Sequence, residues 1–329
     1  MRAFLPFTVF LLLTGCQTIH FYTQGVRGQI EILAKSQPNA KLIASPDTSS
    51  SLKERLILAE ELCSFATREL ALPGNSAYHK YADLERNHVV FVLHAAPEFS
   101  MEPKTWFYPF VGNQAYRGYF NEQDAETYAS TLREKGYEVY LGGTDAYSTL
   151  GVFHDPLLNT FIDYPELHFT ETIFHELTHI RYFVKGDTTF NESLANVVAE
   201  EGMRRWLTSK GRHADLASYE ELLQRRRDFY QQIAITRSEL TKLYASEISE
   251  ESMHTQKQQI LNQLKSRARE LQKRWGGKQL TEWLKLDLTN AHILALSVYN
   301  QEMPTFQKLL EESGGDFGTF FQKVEAMKP

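Results

Sequence analysis

Three residues of one short stretch, FHELTH, have the types and spacing to do chemistry: His175, Glu176 and His179. On a helix, residues four apart share a face, so both imidazoles can meet one cation. Zinc accepts histidine nitrogen and carboxylate oxygen in a tetrahedral shell. Glu176 is rotated off that axis, beside the first ligand, where its carboxylate can take a proton from a water whose pKa the metal lowers to about 7. That is the mechanical content of the H-E-x-x-H pattern. The spacing also fits a plain buried helix. With 11 histidines in 329 residues, an accidental match arises in roughly a few per cent of such chains.

A catalytic zinc site needs a third protein ligand and an open position. TTFNESLANVVAEEG offers Glu192, separated from His179 by twelve residues, at the start of the next helix. Gly186-Asp187 supplies the turn between the two helices. Asn196 follows Glu192 by four residues, on the same face, and can hydrogen-bond a ligand histidine, as ligating histidines require. Peptide-type hydrolysis also needs a donor to the developing oxyanion. Tyr299 in NAHILALSVYNQ can bring a phenol back from a late helix, with Tyr147 and Tyr116 as rivals, although a core tyrosine is the commoner role. Asp155, Asp163, Glu166 and Glu171 are expected to be solvated. His88, His94, His154, His168 and His292 lack ligand spacing.

The elements that must position these residues are legible from periodicity. Residues 19–36 read as a helix, Pro38–Ser51 as a loop, and 52–70 as an amphipathic helix. HVVFVLHA (88–95) and 136–141 read as strands, with Leu150–Phe153 as a third, and 121–136 as the helix between the first two. From Glu171 onward the chain is helical: 171–185, 192–207, then 215–246 and 252–275 as an antiparallel hairpin with a coiled-coil-like stripe. Its charges read as a solvated face. Helices near 286–300, 303–312 and 316–327 close the chain. Cys63, within LILAEELCSFATREL, reads as a small core residue.

The N-terminus is informative in another way. Arg2 precedes an apolar run, Ala3–Leu13, too short to cross a bilayer as a mature helix but laid out as a signal peptide. Leu13-Thr14-Gly15-Cys16 has the form of a bacterial lipobox, in which Cys16 is diacylated and becomes the new N-terminus. Gln17, in place of aspartate, favours the outer membrane. The expected address is a cell-envelope lipoprotein facing the periplasm, held to the bilayer through acylated Cys16. The net charge of −6 and this address argue against nucleic acid as a partner.

HELTH followed by NES resembles the gluzincin metallopeptidases, whose two helices carry HExxH and then a ligand glutamate. The closer resemblance is to the family named "putative zinc aminopeptidase", lipid-anchored bacterial proteins. It rests on YRGYF (116–120), YSTLG (147–151), Asp155-Pro156, FHELTH, the stretch GDTTFNES (186–193) and EEGMRRWL. The resemblance implies zinc, Glu192 as third ligand, Glu176 as general base and a peptide substrate. Two departures matter. The gap from His179 to Glu192 is shorter than in thermolysin-like members, whose longer gap would select Glu200 instead. No GxMEN-like segment is present to hold a substrate's free amine.

The expected fold is α+β, mainly helical: a gluzincin-like core with a small mixed sheet near 88–153 and a long, projecting helical hairpin. Its parts would be 1–15, signal peptide; 16–51, anchor, N-terminal helix and loop; 52–212, metallopeptidase core; 213–277, hairpin; and 278–329, C-terminal helices completing the core. The expected function is a membrane-anchored zinc peptidase. The alternative is a non-catalytic, zinc-containing scaffold or binding lipoprotein, with the hairpin as the surface for a protein partner.

Overall fold

The computed structural model describes residues 5–109, 111–297 and 302–327, with side chains from residue 18 onward. The chain is α+β and mainly helical. Its elements run α1 (Leu5–Lys35), β1 (Gln37–Pro38), α2 (Asn39–Ala44), α3 (Ser50–Glu69), β2 (Lys80–Ala82) and β3 (Val90–Pro97). Next come β4 (Trp106–Tyr108), β5 (Gly112–Gln114), β6 (Arg117–Tyr119), α4 (Glu122–Arg133), β7 (Tyr137–Thr144) and β8 (Leu157–Leu158). The rest is helical: α5 (Asn159–Ile162), α6 (Glu166–Arg181), α7 (Thr188–Ser209), α8 (His213–Tyr244), α9 (Glu250–Trp275), α10 (Asn290–Ser297), α11 (Met303–Glu311) and α12 (Phe317–Met327).

Helix ends fall where local chemistry puts them. Ser49, Asn121 and Ser249 accept hydrogen bonds from Leu52, Asp124 and Ser252 N–H groups and so cap α3, α4 and α9. Gly276, at φ 67°, ends α9 in the left-handed conformation. The segment expected as a loop, Pro38–Ser51, instead contains α2 and the start of α3. It is pinned by buried Asn39, whose amide donates to the Tyr78 carbonyl at 2.8 Å.

The sheet within 88–153 is antiparallel rather than mixed, in the order β6-β3-β7, with Val90 opposite Thr144 and Pro97 opposite Tyr137. The parallel pairing lies elsewhere, between β2 and β8. Leu150–Phe153 is a turn, not a strand, because Leu150 and Gly151 both take positive φ, 55° and 79°.

The main core joins α3, α6, α7, α11 and α12. In it Cys63 is buried at 1 % exposure, and burial pushes its thiol up to about 12, consistent with a packing role. Gly202 lets α6 and α7 pack closely, since a Cβ there would meet Phe174 at 2.9 Å. The α8–α9 hairpin forms a second core with α10 and Ala96 of β3. It does not project freely. Tyr219 and Leu223 of α8 enter the main core, and Lys257 of α9, 1 % exposed, donates to the Glu98 carbonyl and to Glu138.

Candidate metal centre

One face of α6 repeats every four residues through Glu171, His175 and His179, while Phe169, Ile173, Phe174 and Leu177 fill the core. Glu192 enters from the start of the second turn of α7. That turn is built locally. Gly186 takes φ 76°, and Asp187 caps α7 by accepting from Phe190 N–H at 3.1 Å. Asn191 accepts from Val184 N–H and donates to the Val184 carbonyl, both at 2.8 Å. The Asn-Glu pair therefore has a mechanical meaning: Asn191 clamps the end of the connection, and the next residue faces back to the histidines.

The result is a convergence of donors. One ligand atom from each of His175, His179 and Glu192 lies within 4.8 Å of the other two. His175 Nε2 is 3.1 Å from His179 Nε2 and 3.3 Å from a Glu192 oxygen, and His179 Nε2 is 3.6 Å from the other oxygen. The second nitrogen of His175, Nδ1, lies 3.1 Å from Asn196 Oδ1, which fixes the ring with Nε2 inward. His179 Nδ1 is buried without a hydrogen-bond partner among the described residues. Two nitrogens and a carboxylate aimed at one point suit a divalent cation of the zinc type. Without a metal, the electrostatics place the positive charge of the cluster on His175. Burial opposes a charged imidazole, yet Glu192 lifts His175 to about 9. Burial holds His179 down to about 4. Burial also pushes Glu192 upward, but the two histidines prevail and keep it below the usual carboxylate range.

Glu176 is half-buried beside this cluster. Burial raises it to about 7, opposed by His175 and reinforced by Glu192 and Asp155. A carboxyl poised there can both take and return a proton near neutrality. Asp155 is not a solvated surface carboxylate but is 3 % exposed. Thr149 holds it through its N–H at 2.8 Å and its hydroxyl at 2.7 Å, and the Tyr78 N–H donates to its carbonyl at 2.7 Å.

Glu200 is set apart from the cluster. It lies eight residues beyond Glu192 on α7, roughly 12 Å along the axis, buried at 4 % and 3.7 Å from Arg204. Its charge interacts with Glu171, Arg226 and Arg227 as well as Arg204. Glu171 too is buried, at 9 %, contrary to the expected solvation. Its carboxylate accepts from Tyr219 at 2.8 Å and from both Arg226 amino groups at 2.8 and 2.9 Å.

Of the tyrosines, Tyr299 lies outside the described residues. Tyr116 lies close enough to the cluster that Glu192 and Glu176, after burial, push its phenol upward. It is brought there by Thr188, whose hydroxyl donates to Gln114 at 2.9 Å, two residues earlier. Tyr147 is raised to about 12 by burial and Asp155. Sequence reasoning missed Tyr78, whose phenol is raised by burial and then by Glu176, and Tyr230, raised by burial, opposed by Arg226 and reinforced by Glu171 and then Glu192. A cavity of about 220 Å³ opens by the first turn of α7, lined in part by His94, Ala115, Thr188 and Thr189.

If Asn196 holds the His175 ring as described, Asn196→Ala should weaken any divalent-cation binding at this cluster by about 10- to 100-fold, read by competition with a chromophoric chelator. Unchanged affinity would show that the ring is held otherwise.

No curated protein and no solved structure matches the chain. A match to a family does exist, and it covers nearly the whole sequence, including both helices of the cluster. Over residues 20–329, the chain belongs to the family described as "Putative aminopeptidase".

Proposed function

We propose that the protein is a zinc peptidase of the cell envelope, an aminopeptidase built on a gluzincin-like pair of helices. The convergence of His175, His179 and Glu192 beside a carboxyl poised near neutrality carries this reading. These three residues would hold the zinc ion. When bound, zinc polarises a peptide carbonyl and acidifies water. Glu176 takes the proton from the attacking water and passes it to the leaving amine. Tyr116 keeps its phenol proton and donates a hydrogen bond to the carbonyl oxygen as charge develops on it. Asn196 keeps the His175 ring in one orientation. Acylated Cys16 ties the chain to the bilayer, at the outer membrane facing the periplasm.

A peptide library read by mass spectrometry tests this. The expected products are N-terminally shortened ladders, lost with a chelator and restored by zinc. Internal cuts would overturn the aminopeptidase assignment. Zinc bound without turnover of any peptide would leave the scaffold reading in its place, with the α8–α9 hairpin as the surface for a protein partner.

A further inference from the structure

The outward face of α1 takes no part in the catalytic reading. Its inner face is seated on the protein. Phe21 packs edge-on to Tyr119 at 5.3 Å, Gln24 accepts from the Phe120 N–H at 2.8 Å, and a Cβ on Gly28 would strike the Phe120 ring. Ile32 is 1 % exposed. Opposite these residues, Ile19, Tyr22, Val26, Ile30 and Leu33 are exposed at 68, 44, 59, 59 and 40 %. Their steps of three, four, four and three put them in a single stripe, roughly 21 Å long. Isolated exposed apolar side chains are ordinary. A continuous line of them marks a contact with a protein or a membrane.

Two features identify what covers it. The stripe begins three residues after Cys16, which closes the lipobox-like Leu13-Thr14-Gly15-Cys16. At 1.5 Å per helical residue, an acylated Cys16 holds Ile19 within about 5 Å of the membrane surface. The second feature is charge. His20, Glu31 and Lys35 are paired with Asp124, Arg86 and Glu85. Exposed Arg27, flanking the stripe, has no ion-pair partner among the described residues, as suits a cation left for lipid headgroups.

We propose that Ile19, Tyr22, Val26, Ile30 and Leu33 lie in the interface of the lipid bilayer, so that α1 rests along the membrane beside its own anchor. This rests on the lipid-anchor part of the proposed function. Interfacial helices sink their apolar face about 5–10 Å into the headgroup and acyl boundary. Two acyl chains suffice to hold a protein to a membrane; the stripe adds orientation. It fixes which side of the catalytic domain faces the lipid.

The test uses the full acylated protein in vesicles of phosphatidylethanolamine and phosphatidylglycerol, with a fluorophore at Val26→Cys, at Ile30→Cys or, as control, at exposed Gln263→Cys on α9. Cys63 is buried and stays unlabelled. Lipid brominated high in the acyl chain should quench the probes at 26 and 30 by about twofold or more, and leave the one at 263 unchanged. A Tyr22→Cys probe should lose its quenching when Val26→Glu and Ile30→Glu are added. Probes at 26 and 30 as open to aqueous iodide as the control would overturn the proposal. So would ready 26-to-26 cross-linking, which assigns the stripe to a second copy of the chain. Mass spectrometry of the N-terminal peptide reads acylation separately. Its absence would refute the anchor itself, whereas acylation without quenching refutes only the resting helix.

Discussion

Glu176→Gln is expected to keep bound zinc and lose peptide hydrolysis by about a thousandfold or more, within the range a positioned general base contributes. The two expectations have different origins. The donors placed to hold a metal ion are His175, His179 and Glu192, and Glu176 is not among them, so binding should survive. Glutamine keeps the size of the side chain but can neither take a proton from water nor return it. The carboxyl it replaces is held near 7 by burial, with Glu192 and Asp155 adding to the effect. Metal content, thermal stability and turnover should be measured on one preparation. Turnover near that of the unmodified protein would remove Glu176 from the mechanism.

Arg226→Ala should destabilise the fold by about 3 kcal/mol, the lower end of the cost of leaving one member of a buried ion pair alone. Glu171 would keep only the Tyr219 hydroxyl of its present partners. In the intact protein burial pushes Glu171 upward, but the Arg226 and Tyr219 hydrogen bonds prevail and hold it below the usual carboxylate range. A depressed folded-state value stabilises the fold above the unfolded value, about 4, and this contribution is lost as pH falls through the folded value. The gap between the variant and the unmodified protein should therefore narrow in acid. Urea unfolding at neutral pH and near pH 3.5 reads both. The double variant Glu171→Leu with Arg226→Met should recover most of the loss. A constant gap at both pH values would deny the ion pair its role. Glu171 sits one turn before His175 on the same face of α6, so this pair also braces α6 against α8.

What could be read in the sequence depended on whether the information was local. His175 and His179 were legible because a four-residue step has one meaning on a helix. Glu192 was legible because the turn before it is written in Gly186-Asp187 and Asn191, all within a few residues. The long helices followed from apolar steps of three and four. Asp155 was misread because its burial comes from Tyr78, far off in the chain, and from a turn at Thr149 that no periodicity marks. Leu150–Phe153 looked like a strand by composition, but positive φ at Leu150 and Gly151 forbids one. The charges of the hairpin looked solvated because the partners of Arg226 and Lys257 are Glu171 and Glu138, more than fifty residues away in each case. Tyr116 and Tyr230 reach the cluster only through tertiary packing, and a single tyrosine carries no spacing signal.

The central claim is that His175, His179 and Glu192 form one metal site. Elemental analysis of the protein purified without chelators, alongside Glu192→Ala and Glu200→Ala, tests it most directly. The account predicts about one zinc per chain in the unmodified protein and in Glu200→Ala, and little in Glu192→Ala. Zinc retained by Glu192→Ala but lost from Glu200→Ala, or no zinc in the unmodified protein, would contradict it.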